Sequence, residues 1–376
     1  MRLALVISSL GMGGAERVIS RLAVGWAAQG VEVSLITLAG AQDDFFMVPE
    51  TVRRVGLDVL AQSAGPKEAV ANNLKRIRTL RSVLRQEQPD AVVSFMDTTN
   101  VLTLLAARGL GIPVVVSERI DLKGHGERLG RAWHLLRRVT YRWATAVVAV
   151  TREVARQLEE LLPGLNALAI PNPVEEAACQ GRPEVLLEGP TVIALGRLVP
   201  RKGFDLLIRA FSQCLPQHEE WQLAILGEGR DRGRLEGIIQ ELGLADKVLL
   251  PGQVREPGPV LAQSQVFALC SAYEGFPNSL LEAMACGLPS AVSDYAGGPR
   301  EVVSHEKEAL LFPVGDEKAL HEALNRLMAD SQLRERLGQA AKETARHYSL
   351  EAVLAQWNEL LEKIIRSKHA DRRGGL

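Results

Sequence analysis

The sequence has little of what usually announces a chemistry. Its four cysteines, Cys179, Cys214, Cys270 and Cys286, form no C-x-x-C pair, which excludes a zinc ribbon and a dithiol redox motif. No cationic, apolar leader opens the chain. The two observations together predict free thiols, no disulfide, and a chain of the reducing cytoplasm. No apolar run approaches the roughly 18 residues that span a bilayer. Net charge is only −1 at neutral pH, and no nucleic-acid partner is expected from so even a balance. The charge is unevenly placed: residues 1–173 carry 21 Lys and Arg against 16 Asp and Glu, and the remainder 23 against 29. A basic half that faces something anionic is therefore expected.

What the chain does have is length and alternation. At 376 residues it exceeds one ordinary core, and two domains are the natural reading. Short apolar runs at 2–8, 31–37, 91–95, 113–117 and 146–150 alternate with amphipathic stretches near 14–29, 68–87, 98–110, 126–144 and 151–162. Continuous apolar strands between helices indicate a parallel sheet covered on both faces. A Pro-, Gly- and Glu-rich segment at 170–190 interrupts the pattern and reads as a linker. The alternation restarts at 191–195, 221–226, 247–250, 266–270 and 289–293. The fold class is thus α/β, two tandem Rossmann-like doubly wound domains whose strand-end loops face a cleft. The expected boundaries are 1–173 and 174–349, with a helix at about 350–367 returning to the first domain.

The strand-end loops carry the candidate chemistry. After the first strand, "SSLGMGGAER" places Gly11, Gly13 and Gly14 before a helix. Such a loop either makes a plain turn or lets backbone N–H groups meet a phosphate or sugar. It is not a dinucleotide fingerprint, because Glu16 stands where G-x-G-x-x-G needs its last glycine. That disfavours a dehydrogenase. In "GRLVPRKGFDLL", Arg197 and Lys202 precede a helix and suit a diphosphate, although no P-loop is present. "LGEG" (226–229) and "LPGQV" (250–254) follow two further strands, and such main-chain groups can meet a flat base.

"YEGFPNSLLEAMACGLP" (273–289) holds Glu274 and Glu282 on either side of a turn. On a structural reading, Ser279 and Glu282 form a capping box. On a functional one, the helix presents free N–H groups, from about Ser279 and Leu280, to a phosphate. Glu282 then accepts from ribose hydroxyls and Glu274 from a second sugar. One anion site flanked by two hydroxyl acceptors describes a nucleotide diphosphate sugar.

Taken in order, "GMGGAER", "GRLVPRKGFDLLIRAF", "LGEG" and "EGFPNSLLEAMACGLP" resemble the family 4 retaining glycosyltransferases of GT-B fold, and the resemblance covers nearly the whole chain. It implies an N-terminal acceptor-binding domain and a C-terminal nucleotide-sugar donor domain. It implies that Arg197 and Lys202 hold the donor diphosphate, with Glu274 on the donor sugar completing the catalytic set. Glu282 would bind the ribose, and Phe276, Pro277, Asn278, Ser279 and Leu280 would line the sugar and phosphates. Gln253 and Val254 would lie near the base, and Gly13 and Gly14 would close on the phosphates. The acceptor implied is a glycan or lipid-linked glycan of bacterial-type polysaccharide or glycolipid synthesis. No metal is expected, since D-x-D occurs nowhere, and no cofactor beyond the donor.

The chain departs from its relatives at one point. Many of them carry a histidine at the end of a first-domain strand, where this chain reads "SERID". Glu118 and Arg119 stand there as acceptor-side or donor-side contacts, and His125 reads as a solvated loop residue. Two other classes stay open: a sugar-nucleotide epimerase of the same architecture, and a non-catalytic sugar-nucleotide-binding protein. Two basic helices, 126–144 with Leu129, Trp133, Leu136 and Trp143, and 74–86 with Lys75, Arg76, Arg78, Arg81 and Arg85, suit an anionic membrane surface as well as ordinary packing. The expected location is cytoplasmic and peripheral at the inner face of the membrane.

Overall fold

The computed structural model describes residues 1–61, 63–119, 130–175, 179–295 and 297–374. The chain divides into two compact units, Met1–Pro173 with Leu350–Leu376, and Val174–Ser349.

The first unit holds a seven-stranded sheet in the order β3-β2-β1-β4-β5-β6-β7. Its strands are β1 (Arg2–Ile7), β2 (Glu32–Thr37), β3 (Val52–Gly56), β4 (Ala91–Phe95), β5 (Val114–Glu118), β6 (Ala146–Ala149) and β7 (Ala167–Ala169). Every neighbouring pair is parallel. The central strands are buried along almost their whole length, β4 and β5 at every residue. That is why they read as unbroken apolar runs rather than alternating ones. Helices α1 (Gly14–Ala28), α2 (Pro66–Glu87), α3 (Asp97–Ala107), α4 (Arg131–Thr140) and α5 (Arg152–Leu161) are interleaved with them.

The second unit repeats the plan with six parallel strands in the order β10-β9-β8-β11-β12-β13. They are β8 (Thr191–Leu195), β9 (Gln222–Leu226), β10 (Val248–Gly252), β11 (Val266–Leu269), β12 (Ser290–Ser293) and β13 (Ala309–Phe312). Its helices are α6 (Phe204–Cys214), α7 (Arg232–Glu241), α8 (Gly258–Leu261), α9 (Asn278–Ala285), α10 (Glu317–Ala329) and α11 (Ser331–Arg346). Each sheet runs outward in both directions from its first strand, so the strand order reverses at β1/β4 in one unit and at β8/β11 in the other. Doubly wound sheets open their ligand sites at that reversal, beyond the carboxyl ends of the strands. Three strands went unread in the sequence: β3, β7 and β13. All three are at sheet edges and span only three to five residues.

The last helix, α12 (Leu350–Gly374), belongs to the first unit. Val353, Leu354, Trp357, Leu361 and Ile364 recur at helical spacing and are buried, each contributing roughly 1.5–3 kcal/mol by burial. They pack on α1. Trp26 and Trp357 meet edge to face at 6.1 Å, and the Trp26 indole donates to Asn358 Oδ1 at 2.8 Å. Gly25 admits this contact, because a Cβ there would lie 2.6 Å from Leu354 Cδ1.

The expectation of four free thiols is corrected. Cys179 and Cys286 form a disulfide, with Cα atoms 5.5 Å apart, while Cys214 and Cys270 are free and buried. The bond ties the start of the second unit to the end of α9. Pairing across 107 residues depends on the fold, and no local spacing reports it. Cysteine usage therefore no longer argues for a reducing compartment. Among the described residues, no helix is long and apolar enough to cross a membrane, and no three metal-ligating side chains cluster.

Candidate functional site

Two of the residues expected to be catalytic, Lys202 and Glu274, meet at the strand reversal of the second unit. The chain leaves β8 through Gly196, whose φ of +158° and close approach to Lys202 favour glycine: a Cβ would lie 3.0 Å from Lys202 Cε. A single 3-10 turn, Pro200–Lys202, follows, and Gly203 enters α6 in the left-handed conformation at φ +65°. A Cβ at Gly203 would stand 2.4 Å from the Cys270 carbonyl. The two glycines of "GRLVPRKG" thus bring this turn against the loop that leaves β11.

The two loops are stitched together. The Ala272 amide donates to the Arg201 carbonyl at 2.8 Å, and Arg201 Nη1 donates to the Tyr273 carbonyl at 3.3 Å. Lys202 Nζ donates to Glu274 Oε1 at 2.8 Å, with the two side chains only 8% and 12% exposed. Ser271 Oγ donates to the same carboxylate oxygen at 2.6 Å, and Ser293 Oγ from β12 holds the Ser271 carbonyl at 2.7 Å. The cation expected on the diphosphate and the carboxylate expected on the sugar are therefore partners of each other. Sequence reasoning missed Ser271 and Ser293. Ser271 stands three residues before Glu274, the spacing of a local turn contact, whereas Ser293 comes from another strand and leaves no local signal. Arg197 is exposed beside this pair in sequence and makes no ion pair with the described residues.

Beyond Glu274, Phe276 and Pro277 are buried and α9 begins at Asn278. The capping-box reading is corrected. Pro277, not Ser279, occupies the cap position, and no side chain caps the helix. Ser279 falls inside the first turn, where its buried hydroxyl has no hydrogen-bond partner among the described residues. The expected free N–H at Leu280 is also corrected, since it donates to the Pro277 carbonyl at 3.1 Å. Glu282 is half-buried on the next turn. The glycines of "LGEG" have a packing role: a Cβ at Gly227 would lie 2.0 Å from the Gly196 carbonyl oxygen, and one at Gly229 would lie 2.2 Å from that of Leu198. Gln253 is exposed and Val254 half-buried just past β10.

In the first unit, Gly13 caps α1 and Gly14 is its exposed first residue. Glu16, in the first turn, folds back so that its carboxylate lies 2.1 Å from where a Gly13 Cβ would stand, an anion at a helix N-terminus.

Glu118 ends β5 and is wholly buried. Its Oε1 accepts from Tyr141 Oη and lies 3.7 Å from Arg137 Nη1. Burial pushes its carboxyl up to about 7, against the opposing pull of Arg137 and Tyr141. Asn100 Nδ2 donates to Tyr141 Oη and to the Ser117 carbonyl, each at 3.1 Å. Glu118 is thus engaged with the inner face of α4 and the 3-10 turn Tyr141–Trp143 that follows it. Arg119 turns the other way, toward Phe95, Trp357 and Asn172.

The basic helices divide between the two readings. In α2, Arg76 donates to the carbonyls of Val59 and Ala61, and Arg81 to those of Ala106 and Arg108, so both are bound into the unit. In α4, Trp133 is half-buried against Leu38, Val59 and Leu102. Leu135, Leu136, Val139 and Trp143 are 64%, 38%, 47% and 38% exposed, with Arg138 and Arg142 exposed among them. His125, Arg128 and Leu129 lie outside the described residues.

Two parallel doubly wound units, one in the strand order 3-2-1-4-5-6-7 and the other in the order 3-2-1-4-5-6 counted from its own first strand, each with glycines in its first loop, define the GT-B class. Comparison with known proteins names the family. Residues 13–173 match the glycosyl transferase 4-like domain and residues 182–344 match glycosyl transferases group 1. The chain belongs to the family 4 glycosyltransferases.

Among its relatives is a Campylobacter jejuni α-1,4-N-acetyl-D-galactosaminyltransferase named for a diphospho-undecaprenol-linked glycan. It is 25% identical over 97% of this chain and 99% of its own length. An exopolysaccharide phosphotransferase of Streptomyces coelicolor is 36% identical over 61% of this chain, and that match spans only 24% of the longer protein. Similar folds include a sucrose-phosphate synthase of Thermosynechococcus elongatus (TM-score 0.84, 20% identity, 97% of this chain and 99% of that one). Another is the HepE protein of Anabaena, solved with UDP and glucose (TM-score 0.77, 20% identity, 96% of this chain and all of that one).

Proposed function

We propose that the chain transfers a sugar from a nucleotide diphosphate sugar to a glycan or lipid-linked glycan acceptor, with retention at the anomeric carbon and without a metal. The observation that carries this reading is the Lys202–Glu274 pair, nearly closed to water, at the β8/β11 strand reversal, with Arg197 five residues before Lys202 in the chain and Ser279, whose buried hydroxyl has no partner among the described residues, five after Glu274. Lys202, Arg197 and the α9 N-terminus supply positive potential where a departing diphosphate gathers charge. Glu274 and Glu282 accept from hydroxyls on either side of it. As the donor enters, Lys202 gains a second anionic neighbour, and Glu274 is positioned to accept from the sugar.

In this reading the leaving phosphate oxygen takes the proton of the attacking hydroxyl on the same face. The acceptor O–H bond and the glycosidic C–O bond break, the new C–O bond forms, and the nucleoside diphosphate leaves with the proton. Gln253 and Val254 serve the base, and Gly13 and Gly14, at the start of α1, offer backbone N–H groups to a phosphate. UDP is the first nucleotide to test, since the HepE structure holds it.

The lipid-linked acceptor rests on the Campylobacter relative and on α4. Leu135, Leu136, Val139 and Trp143 form an exposed apolar stripe edged by Arg138 and Arg142, suited to the interface of an anionic membrane. The test is a panel of nucleotide sugars followed by protection against thermal unfolding and then by turnover. Release of a nucleoside diphosphate with a glycosylated acceptor supports the reading. Conversion of the donor to an isomer, or binding without turnover, rejects it.

A further inference from the structure

Arg119 directly follows β5 and is nine-tenths buried. Its guanidinium lies 4.4 Å from the centre of the Phe95 ring and 5.8 Å from that of Trp357. Nη1 donates to Asn172 Oδ1 at 2.5 Å. Nε and Nη2 have no acceptor among the described residues. These two nitrogens share one edge of the guanidinium plane, so their N–H bonds run side by side, the geometry that grips two oxygens of a carboxylate or phosphate. No carboxylate among the described residues forms an ion pair with this charge, and burial alone lowers its proton affinity, to about 9. The adjacent Glu118 is turned away and engaged with Tyr141 and Arg137. An arginine buried only for packing would cost more than a methionine of similar reach, because an unpaired buried charge is expensive. The rings and Asn172 hold the fork, and its Nε/Nη2 edge meets no acceptor among the described residues.

We propose that Arg119 is an oxyanion subsite of the first unit, whose Nε/Nη2 edge takes two oxygens of a phosphate or carboxylate on the acceptor. The donor diphosphate already has Arg197 and Lys202 in the second unit, which leaves this cation for the other substrate. Only the word acceptor rests on the transferase reading; the subsite itself rests on the guanidinium.

The test titrates inorganic pyrophosphate, and in a separate arm glucuronate, into the wild type, Arg119→Met and Arg119→Lys, with and without saturating UDP, by calorimetry. Expected is an anion-binding event that survives excess UDP and weakens roughly tenfold or more in both variants, as the loss of charge-assisted bonds implies. UDP affinity stays unchanged, and Arg119→Met melts no lower than the wild type. The arm that binds in the wild type tells phosphate from carboxylate. Equal anion binding in Arg119→Met and wild type overturns the proposal. So does a lower melting temperature with unchanged anion binding, which marks a structural arginine. A fall in UDP affinity assigns Arg119 to the donor and overturns the acceptor role. Failure of UDP to bind any of the proteins counts against the donor site and leaves the Arg119 comparison intact.

Discussion

Glu274→Gln separates the ion pair from the rest of the site. In the wild type, Lys202 and Glu274 are 2.8 Å apart and almost excluded from water. At an effective dielectric of about 20 their gross attraction is about 6 kcal/mol, largely spent on the desolvation of both charges. Removing one charge strands the other, and the net penalty is roughly 3–5 kcal/mol. Glutamine still accepts from Ser271, so the backbone of the loop should hold. For a unit of this size that penalty lowers the melting temperature by roughly 6–20 °C.

A diphosphate supplies Lys202 with a replacement anion. UDP should therefore stabilise Glu274→Gln by more degrees than it stabilises the wild type. Lys202→Met with Glu274→Gln, which leaves no charge unpaired, should recover much of the loss. The assay is thermal unfolding of the four proteins of this double-mutant cycle, with and without UDP. A melting temperature for Glu274→Gln within a degree of the wild type, or equal UDP shifts in the two, would refute the reasoning.

Three further outcomes are expected. Glu282→Gln should lose a charge-assisted acceptor worth about 1.5–3 kcal/mol, seen as a raised donor KM or lowered kcat/KM at an unchanged melting temperature; near-wild-type kinetics would leave Glu282 a structural residue. Glu118 holds its proton to about pH 7 when folded but only to about 4.5 otherwise. Its contribution to stability is therefore fully present below pH 4.5 and lost as pH rises to 7, about 3 kcal/mol in all; urea unfolding across that range should show the loss in the wild type and its absence in Glu118→Gln. Leu135→Glu with Val139→Glu should abolish sedimentation with anionic vesicles at low salt while leaving donor turnover on a water-soluble acceptor intact, and vesicle binding equal to the wild type's would remove the membrane role.

Much of this was written plainly in the chain. Strands buried on both faces must be apolar throughout, so the central strands could be read residue by residue, and with them the loops at the strand reversals. Arg197, Lys202 and Glu274 stood out because each lies beside a glycine that shapes the backbone, and Glu282 because it follows Glu274 across the turn at Pro277. The edge strands were hidden: β3 reads "VRRVG" and β7 only "ALA", too short or too polar to separate from loops. The capping box failed because the pattern is blind to Pro277, which takes the cap position itself. The direct pairing of Lys202 with Glu274 and the Cys179–Cys286 bond join segments 72 and 107 residues apart, and no local spacing encodes them. On α4 and the turn after it the helical period was right, and Leu136 and Trp143 are exposed as the surface reading has them, but the period alone did not tell which of the other apolar side chains turn inward. Trp133 is drawn inward by Leu38, Val59 and Leu102, and that leaves Leu135 and Val139 in water.

The central claim is that this site expels a nucleoside diphosphate while retaining the configuration of the sugar it transfers. Proton NMR of the reaction with UDP-sugars and a glycan acceptor, run in excess chelator, tests it most directly. The account predicts UDP release coupled to a new glycosidic linkage with the anomeric configuration of the donor, and a kcat/KM lower by roughly 2–4 kcal/mol in Arg197→Ala. An inverted linkage, activity that chelator removes and magnesium restores, or a donor isomerised without UDP release would contradict it.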